Sequence, residues 1–211
     1  MNTNLNPFYI YTTDDILYIK DSNQNAKRLA NNIKFFCANV DEHNKIHICA
    51  MDHNAKIIHF LLNKNNVRKY TIGRFFDNIK NILEMNLTIT KDFLNLFITQ
   101  KNSLSENTYR ISHLNFSPSN YKVNKHLFNC VYKKNNLIYK LYIDDLSNII
   151  FTYSKENSDE DHTFLFNYVS RKWISFNPLV GFDENFFIDD RQLKNIQSDL
   201  FDYLYSIKYK L

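Results

Sequence analysis

The stretch VDEHNKIHICAMD, Val40 to Asp52, contains the pattern that decides the fold. The end of one strand is followed by a turn rich in Asp and Asn, and then by the apolar run IHICAMD. Side chains along a strand alternate between its two faces, so Ile46 and Ile48 lie on one face and His47 and Cys49 on the other. Both faces are mainly apolar, which predicts a sheet with protein neighbours on both sides.

The same pattern recurs twice, at spacings of about 50 residues. ITKDFLNLFITQK begins at Ile89 and IDDLSNIIFTYSK begins at Ile143. Each stretch is preceded by one β-rich run and followed by two more, such as KIIHFLLN and VRKYTI in the first unit. Four short β-rich runs joined by Asn and Asp turns predict a four-stranded antiparallel meander in each unit.

Repeats of this length with four strands are typical of the blades of a β-propeller. The order of strands, with a fourth strand beginning at Val67, Tyr121 or Trp173, resembles sialidase-type and hemopexin-like blades. It also resembles the propeller modules of clostridial proteins of unknown function. The Asp-box signature with its Gly and Trp is absent, so the resemblance implies an architecture and no particular activity.

The segment before the first full unit fits the same scheme. FYIYTT, ILYIKD and AKRLAN are typical of strands two to four of a unit whose first strand is missing. ENFFIDD resembles the first-strand sequence YKLYIDD, so residues Asn185 to Ile188 are expected to supply the missing strand and close a ring. The sequence therefore predicts an all-β fold, a small four-bladed propeller over residues 1–188. Its blades are residues 185–188 with 8–30, then 33–72, 82–127 and 137–179. A five-bladed propeller and a β-sandwich are the alternatives.

Residues 189–211 have a different pattern, which predicts a C-terminal helix. Acids stand at the start and Lys near the end, as the helix dipole favours. Apolar residues at alternating spacings of three and four form one stripe. This helix is expected to cap the propeller through its stripe or to pair two copies as a homodimer. The stripe consists of Leu193, Ile196, Leu200, Tyr203 and Ile207.

Composition limits the class of protein. The chain has 211 residues, of which 44% are hydrophobic, and a net charge of +4 from scattered lysines. It has only two Gly, and its heavy use of Asn is typical of AT-rich bacterial genomes, with Asn taking turn positions. Cys37, Cys49 and Cys130 have no disulfide-like spacing and are expected to be reduced core thiols. No signal peptide or apolar membrane span is visible, which favours a cytoplasmic protein.

The densest group of metal-ligand residue types is HNKIHICAMDH, with His43, His47, Cys49 and His53. Only His47 and Cys49 share a strand face, whereas a zinc site needs at least three protein ligands. The acidic run ENSDEDH, residues 156–162, lacks the Gly and the alternating spacing of a calcium loop. The sequence therefore predicts neither a metal site nor a cofactor.

The candidate binding residues are acids and aromatics at repeated positions. Asp41, Asp92, Asp144 and Asp145 follow first strands and would lie on one rim of a ring, although such acids also stabilise their own turns. Tyr121 and Trp173 are the candidate aromatic binding residues, which a lectin-like module would expose near polar side chains. No nucleophile and base occur in a recognisable motif, so no catalytic residue is assigned.

These features favour a non-enzymatic module that binds a protein partner or directs assembly. A lectin-like carbohydrate-binding module is the first alternative, and a glycan hydrolase built on converging acids is the second. Nucleic acid is not an expected partner, because the lysines follow no single face. A membrane is not an expected partner either.

Overall fold

The computed structural model describes residues 9–20, 25–63, 66–103, 107–134, 136–155 and 161–176. Residues 1–175 form one compact region, and of a second region, residues 176–211, only Phe176 is described. The described ranges contain strands and no helix, so the all-β prediction is confirmed. The strands are β1 (Tyr9–Thr13), β2 (Ile16–Lys20), β3 (Ala26–Ala30), β4 (Ile33–Val40), β5 (Ile46–Asp52), β6 (Lys56–Asn63), β7 (Asn66–Arg74), β8 (Ile82–Thr90), β9 (Phe93–Lys101), β10 (Thr108–Phe116), β11 (Asn124–Tyr132), β12 (Lys140–Ile143), β13 (Ile149–Lys155), β14 (Asp161–Asn167) and β15 (Lys172–Phe176).

Each of the three sequence units folds as four consecutive antiparallel strands. These meanders are β4 to β7, β8 to β11 and β12 to β15, and we call them units 1, 2 and 3. The segment before unit 1 forms a separate sheet of three strands in the order β1-β2-β3. Strand β1 therefore lies at the edge of this sheet among the described strands. It takes the position of the second strand in units 1 to 3, and no described strand takes the position of their first strand.

The prediction of a closed propeller with a C-terminal helix is wrong. Units 2 and 3 are joined into one eight-stranded sheet, and none of the three sheets formed by the described strands closes on itself. The join exists because β12 is short: it pairs with β13 only as far as Thr152. The remaining end of β13 pairs with β11 at Val131↔Lys155 and Tyr132↔Ser154. A five-bladed ring is wrong for the same reason, and the three sheets differ from the two of a β-sandwich.

The predicted ring-closing strand, residues 185–188, and the predicted helix, residues 189–211, lie outside the described residues. The same holds for the proposed oligomerisation residues Leu193, Ile196, Leu200, Tyr203 and Ile207. Within the described part of the chain, no helix is long and apolar enough to cross a membrane.

Strand β5 confirms the interpretation of the opening stretch. Its residues from Ile46 to Met51 are all buried. Ile48 belongs to a core cluster shared with the β1–β3 sheet, while Cys49 and Met51 belong to a second cluster shared with β8 and β9. The sheet of unit 1 therefore has apolar neighbours on both faces, as the two-faced apolar pattern predicts. A third cluster, rich in Phe, lies within the eight-stranded sheet.

Asn and Asp take turn positions that need a positive φ, as expected for a chain with so few glycines. Five of the positive-φ residues in the described ranges are of these types: Asp14, Asp15, Asn32, Asn44 and Asn136.

The prediction that all three cysteines are core thiols is correct only in part. Burial raises the pKa of Cys37 and of Cys49 and keeps both thiols protonated, whereas Cys130 is exposed on β11 and is not a core thiol.

Candidate functional site

A chain of four hydrogen-bonded side chains runs through the interior of unit 1. Asp41 Oδ2 lies 3.2 Å from His47 Nε2, and His47 Nδ1 lies 3.0 Å from His59 Nε2. His59 Nδ1 lies 3.0 Å from the hydroxyl of Tyr121, which belongs to the turn before β11 in unit 2. The side chains of His47 and His59 are almost completely buried, so each bond replaces hydration that burial removes.

The partners fix the direction of every hydrogen bond in this chain. The Asp41 carboxylate only accepts, so His47 donates from Nε2 and its Nδ1 is an acceptor. His59 then donates from Nε2 to His47 Nδ1, which leaves His59 Nδ1 to accept from the Tyr121 hydroxyl. Both imidazoles are neutral in this arrangement, and all four of their ring nitrogens are in hydrogen bonds.

Unit 2 contains a second chain with the same direction. The indole of Trp173 in β15 donates to His113 Nδ1 over 3.0 Å. Since indole only donates, His113 must donate from Nε2, and its partner at 3.0 Å is Asn95 Oδ1. Asn95 in turn donates from Nδ2 to Thr90 Oγ1 over 2.9 Å. His113 and Asn95 are completely buried.

The two chains occupy equivalent positions in successive units. His59 pairs with Cys49, two residues after His47, and His113 pairs with Phe97, two residues after Asn95. In each case a histidine on the third strand bonds to a polar residue on the second strand. The aromatic donor comes from the following unit, which is Tyr121 for His59 and Trp173 for His113. The polar chains therefore join unit 1 to unit 2 and unit 2 to unit 3.

Arg171 extends the second chain towards the surface. Its Nε donates to Asn115 Oδ1 over 2.6 Å, and its Nη2 donates to the Asn115 carbonyl over 3.1 Å. Asn115 passes the connection on by donating to Asn95 Oδ1 over 2.8 Å. The guanidinium also lies over the ring of Phe93, 4.7 Å from its centroid, which is a favourable cation–π geometry.

Burial keeps these histidines neutral. Burial, with a smaller contribution from repulsion by His47, lowers the pKa of His59 to about 3. Burial likewise lowers the pKa of His113 well below its usual value, and repulsion by His126 and Arg171 acts in the same direction. Burial alone would raise the pKa of Asp41, but hydrogen bonds from Lys45, His47 and His43 outweigh it and lower that pKa. A buried neutral histidine with both nitrogens bonded stabilises the fold and has no nitrogen left for a substrate proton.

The repeated acids do not converge on one pocket. Asp41 Oδ1 accepts from the backbone N–H groups of His43 and Lys45 within its own turn. Asp144 does the same with Asn148, at 2.7 Å to its backbone N–H and 3.0 Å to its side-chain amide. Asp92 and Asp145 are exposed. Asp41 and Asp144 thus stabilise their own turns, which is the turn chemistry that their positions in the sequence also allow.

The two candidate aromatic binding residues are partly buried. Tyr121 stacks on Tyr70, with ring centroids 4.6 Å apart, and its hydroxyl bonds to His59. Trp173 packs against the Phe-rich core cluster, and its indole N–H bonds to His113. Both residues are half-buried, whereas the lectin-like alternative expects them to be exposed. Sequence reasoning missed His59 and His113, although both appear on the third strand of their units, in KIIHFLLN and YRISHLNF.

The histidines and the cysteine considered as metal ligands are separated. His43 is exposed, and His53 lies 3.0 Å from Asp15 in the β1–β2 turn. Cys49 packs in an apolar core cluster that contains neither histidine. Among the residues that the structure describes, no group of three or more His, Cys, Asp or Glu could hold a metal ion.

Several exposed apolar side chains lie along residues 136–146, on both faces of strand β12, and we call the exposed part of this segment the β12 surface. Leu137, Tyr142, Ile143 and Leu146 are each 50–55% exposed. A cleft lies between this segment and strands β13 and β14, and of the four exposed residues Leu137 lines it. Its lining residues are Lys134, Leu137, Ile138, Tyr139, Lys140, Thr152, Tyr153, Ser154 and Asp161.

No protein-family model matches this chain, and no curated protein matches it. Among solved structures, the chain is similar to one chain of an S. cerevisiae complex of a Dbp5 variant bound to Nup159, a Gle1 variant, IP6 and ADP. The identity is 11% and the TM-score 0.47, and the match covers 81% of this chain. The match spans about half of the other chain, 49% of its length.

Proposed function

We propose that this protein is a non-enzymatic module that binds a protein partner through the β12 surface. The observation that carries the proposal is the run of half-exposed apolar side chains at Leu137, Tyr142, Ile143 and Leu146. Single exposed apolar residues are common, but several within one short segment beside a cleft mark an interaction site. Because each of these side chains is already about half buried, covering it completely would contribute about 1 kcal/mol, roughly half of the value for full burial.

The backbone of β12 supports the same proposal. One edge of β12 pairs with β13 from Lys140↔Thr152 to Ile143↔Ile149. No described strand pairs with its other edge, and an extended segment of a partner would pair with the outward N–H and C=O groups there. Strand addition of this kind gains affinity from main-chain hydrogen bonds and specificity from side-chain pockets.

Polar and charged groups surround the exposed apolar side chains of the β12 surface. Lys134 and Lys140 lie at the cleft, and Asp144 and Asp145 follow β12 in the chain. Tyr139 anchors the segment to unit 2: burial, with a smaller contribution from the charge of Glu84, raises its pKa to about 12, and its phenol is hydrogen-bonded to Thr99 and Asn86. An apolar centre with a rim of mixed charge is typical of protein interfaces.

The test compares a surface variant with a matched control. In Tyr142→Lys/Ile143→Lys, charge replaces the two exposed apolar side chains of β12; in Val169→Lys, it replaces an apolar side chain that is 73% exposed in the β14–β15 turn. We expect the wild type and Val169→Lys to retain the same proteins in quantitative affinity capture, and the β12 variant to lose at least one of them. Equal melting temperatures show that all three are folded. Identical sets of retained proteins for all three would contradict the proposal.

The glycan-binding alternative stays a prediction. It relied on Tyr121 and Trp173, whose polar atoms bond to buried histidines. No feature of the described surface favours it over a protein partner.

A further inference from the structure

The β1–β3 sheet has one strand fewer than the meanders of units 1 to 3, and β1 is its outer strand. In those units the second strand is covered by a first strand: β5 by β4, β9 by β8, and β13 in part by β12. Strand β1 has β2 on one side and no described strand on the other. Its residues are exposed or half-buried, and Tyr9 is 64% exposed.

Strand β1 is also the one edge strand of the described sheets that carries no charge. Its sequence, YIYTT, is uncharged and strongly β-forming. Natural edge strands usually carry charges that prevent pairing with another chain. Each of the other edge strands has at least one, namely Lys27 and Arg28 in β3, Lys34 in β4, Arg68, Lys69 and Arg74 in β7, Glu84 in β8, Lys140 in β12 and Lys172 in β15.

The hairpin geometry determines which backbone groups of β1 face outwards. Asp14 and Asp15 both have positive φ, 50° and 58°, between the paired residues Thr13 and Ile16. A two-residue turn of this type places a hydrogen-bonded pair at its base, and hydrogen-bonded and non-hydrogen-bonded pairs then alternate along the hairpin. The N–H and C=O groups of Ile10 and Thr12 therefore point away from β2, towards the edge that no described strand covers.

We propose that two copies of this chain pair antiparallel through β1, with Ile10 of each copy opposite Thr12 of the other. In this register each outward N–H and C=O of Ile10 and Thr12 meets its complement, which gives four hydrogen bonds across the two-fold axis. Shifting the register by two residues in either direction matches only one of the two residues with its counterpart. The strand is thus self-complementary in a single central register.

The side chains agree with the same register. Tyr11 becomes its own opposite residue, in a non-hydrogen-bonded pair, where side chains approach most closely. Tyr11 already stacks on Tyr18 within each copy, with centroids 5.4 Å apart and planes at 16°. Pairing through β1 brings the two stacks together, and aromatic cross-strand pairs are among the stabilising ones.

The arrangement is closed at two copies. Pairing uses β1 of both molecules, and the joined sheet of six strands then ends on both sides at β3. Strand β3 carries Lys27 and Arg28, so the like charges of two such edges oppose further growth. A two-fold contact that uses one patch on both copies is the commonest form of homo-oligomer.

The first test removes the outward donor of Thr12 in the full chain. Thr12→Pro deletes a backbone N–H that makes no bond to β2, while the control Thr12→Val keeps that N–H. In sedimentation velocity over a range of concentrations, we expect wild type and Thr12→Val to dimerise with similar affinity. Thr12→Pro should raise the dissociation constant at least about tenfold, since each dimer loses two hydrogen bonds. Matching melting temperatures show that all three are folded.

The second test reads the register directly. In a Cys130→Ser background, which removes the exposed thiol, Tyr11→Cys places two thiols opposite each other at a Cα distance of about 4.5 Å. That distance lies within disulfide range. The control Thr13→Cys places its thiols about 13 Å apart along the strands, too far for a bond. We expect diamide to give a covalent dimer of Tyr11→Cys and none of Thr13→Cys.

Several results would overturn the proposal. They are a monomeric wild type at about 100 μM, a Thr12→Pro variant that dimerises as well as the wild type, and equal crosslinking at both positions. Hydrogen exchange adds a check: a monomer with slowly exchanging Ile10 and Thr12 amides would mean that the chain covers its own edge. The proposal uses a surface different from β12, so Tyr142→Lys should leave dimerisation unchanged.

Discussion

At the scale of single residues, the polar groups of the interior hold neighbouring units together. His59 and His113 receive hydrogen bonds from Tyr121 and Trp173 of the following unit. A buried polar group costs free energy unless its partner is correctly placed, so these bonds favour one relative position of the units. Apolar contacts alone would allow more variation in the relative position of the units.

Removing the phenol of Tyr121 tests this role. Tyr121→Phe keeps the ring that stacks on Tyr70 but leaves His59 Nδ1 without a donor in a buried site. We expect the free energy of unfolding to fall by about 1–3 kcal/mol, the cost of an unsatisfied buried acceptor. Urea denaturation measures the change.

Tyr70→Phe is the matched control for that variant. It removes a phenol from the stacked neighbour and keeps the stacking, so its effect should be within about 0.5 kcal/mol. Equal effects of the two substitutions would show that the Tyr121–His59 bond contributes little to stability.

At the scale of elements, the strands and their pairing within each meander were predictable, and the pairing between meanders was not. Two-residue alternation and turns rich in Asn and Asp indicate strands such as β5 and β9. The link between β11 and β13 depends on how far β12 extends along β13. The length of a strand depends on its hydrogen bonds to neighbouring strands. It therefore cannot be predicted from the alternation of side chains within that strand.

Gly73 determines the shape of β7 and provides a test at this scale. It has φ of +150° at a register shift between Ile57 and Ile58 of β6, and a Cβ there would lie 3.1 Å from the ring of Phe75. Gly73→Ala should therefore lower the free energy of unfolding by more than about 1 kcal/mol. Thermal and urea denaturation measure it against Thr71→Ala, an exposed position of the same strand. A neutral Gly73→Ala would mean that the bulge relaxes without cost.

At the scale of the whole molecule, the sequence predicted the class and missed how the units combine. The apolar faces of β5 correctly indicate layers on both sides. The candidate site was predicted only in part: Asp41 and Tyr121 were identified, but as surface binding residues. Their actual connection runs through His59, which lies 62 residues before Tyr121 in the chain. A hydrogen bond between residues so far apart in the chain depends on the register of several strands at once. That register cannot be predicted from the pattern of a single strand.

The buried histidines make the free energy of unfolding of the protein depend on pH. Burial lowers the pKa values of His47, His59, His113 and His126 in the folded protein. In the unfolded chain these groups titrate near the ordinary value of 6.5. As the pH falls below 6.5, the unfolded state therefore binds protons that the folded state does not, and the free energy of unfolding decreases. The contribution of these groups is complete above pH 6.5 and is lost towards about pH 3, where His59 is protonated in the fold.

We expect each of the completely buried histidines, His59 and His113, to contribute a slope of up to about 1.4 kcal/mol per pH unit between pH 6 and 4. Urea denaturation at several pH values, followed by the fluorescence of the single tryptophan, Trp173, measures the slope. His59→Gln should reduce it by the share of one group, because the amide does not titrate. Tyr121→Phe should lower stability at every pH and leave the slope nearly unchanged. A free energy of unfolding that stays constant from pH 8 to pH 5 would mean that these histidines are charged or hydrated in the folded protein, against the buried hydrogen-bonded chains described above.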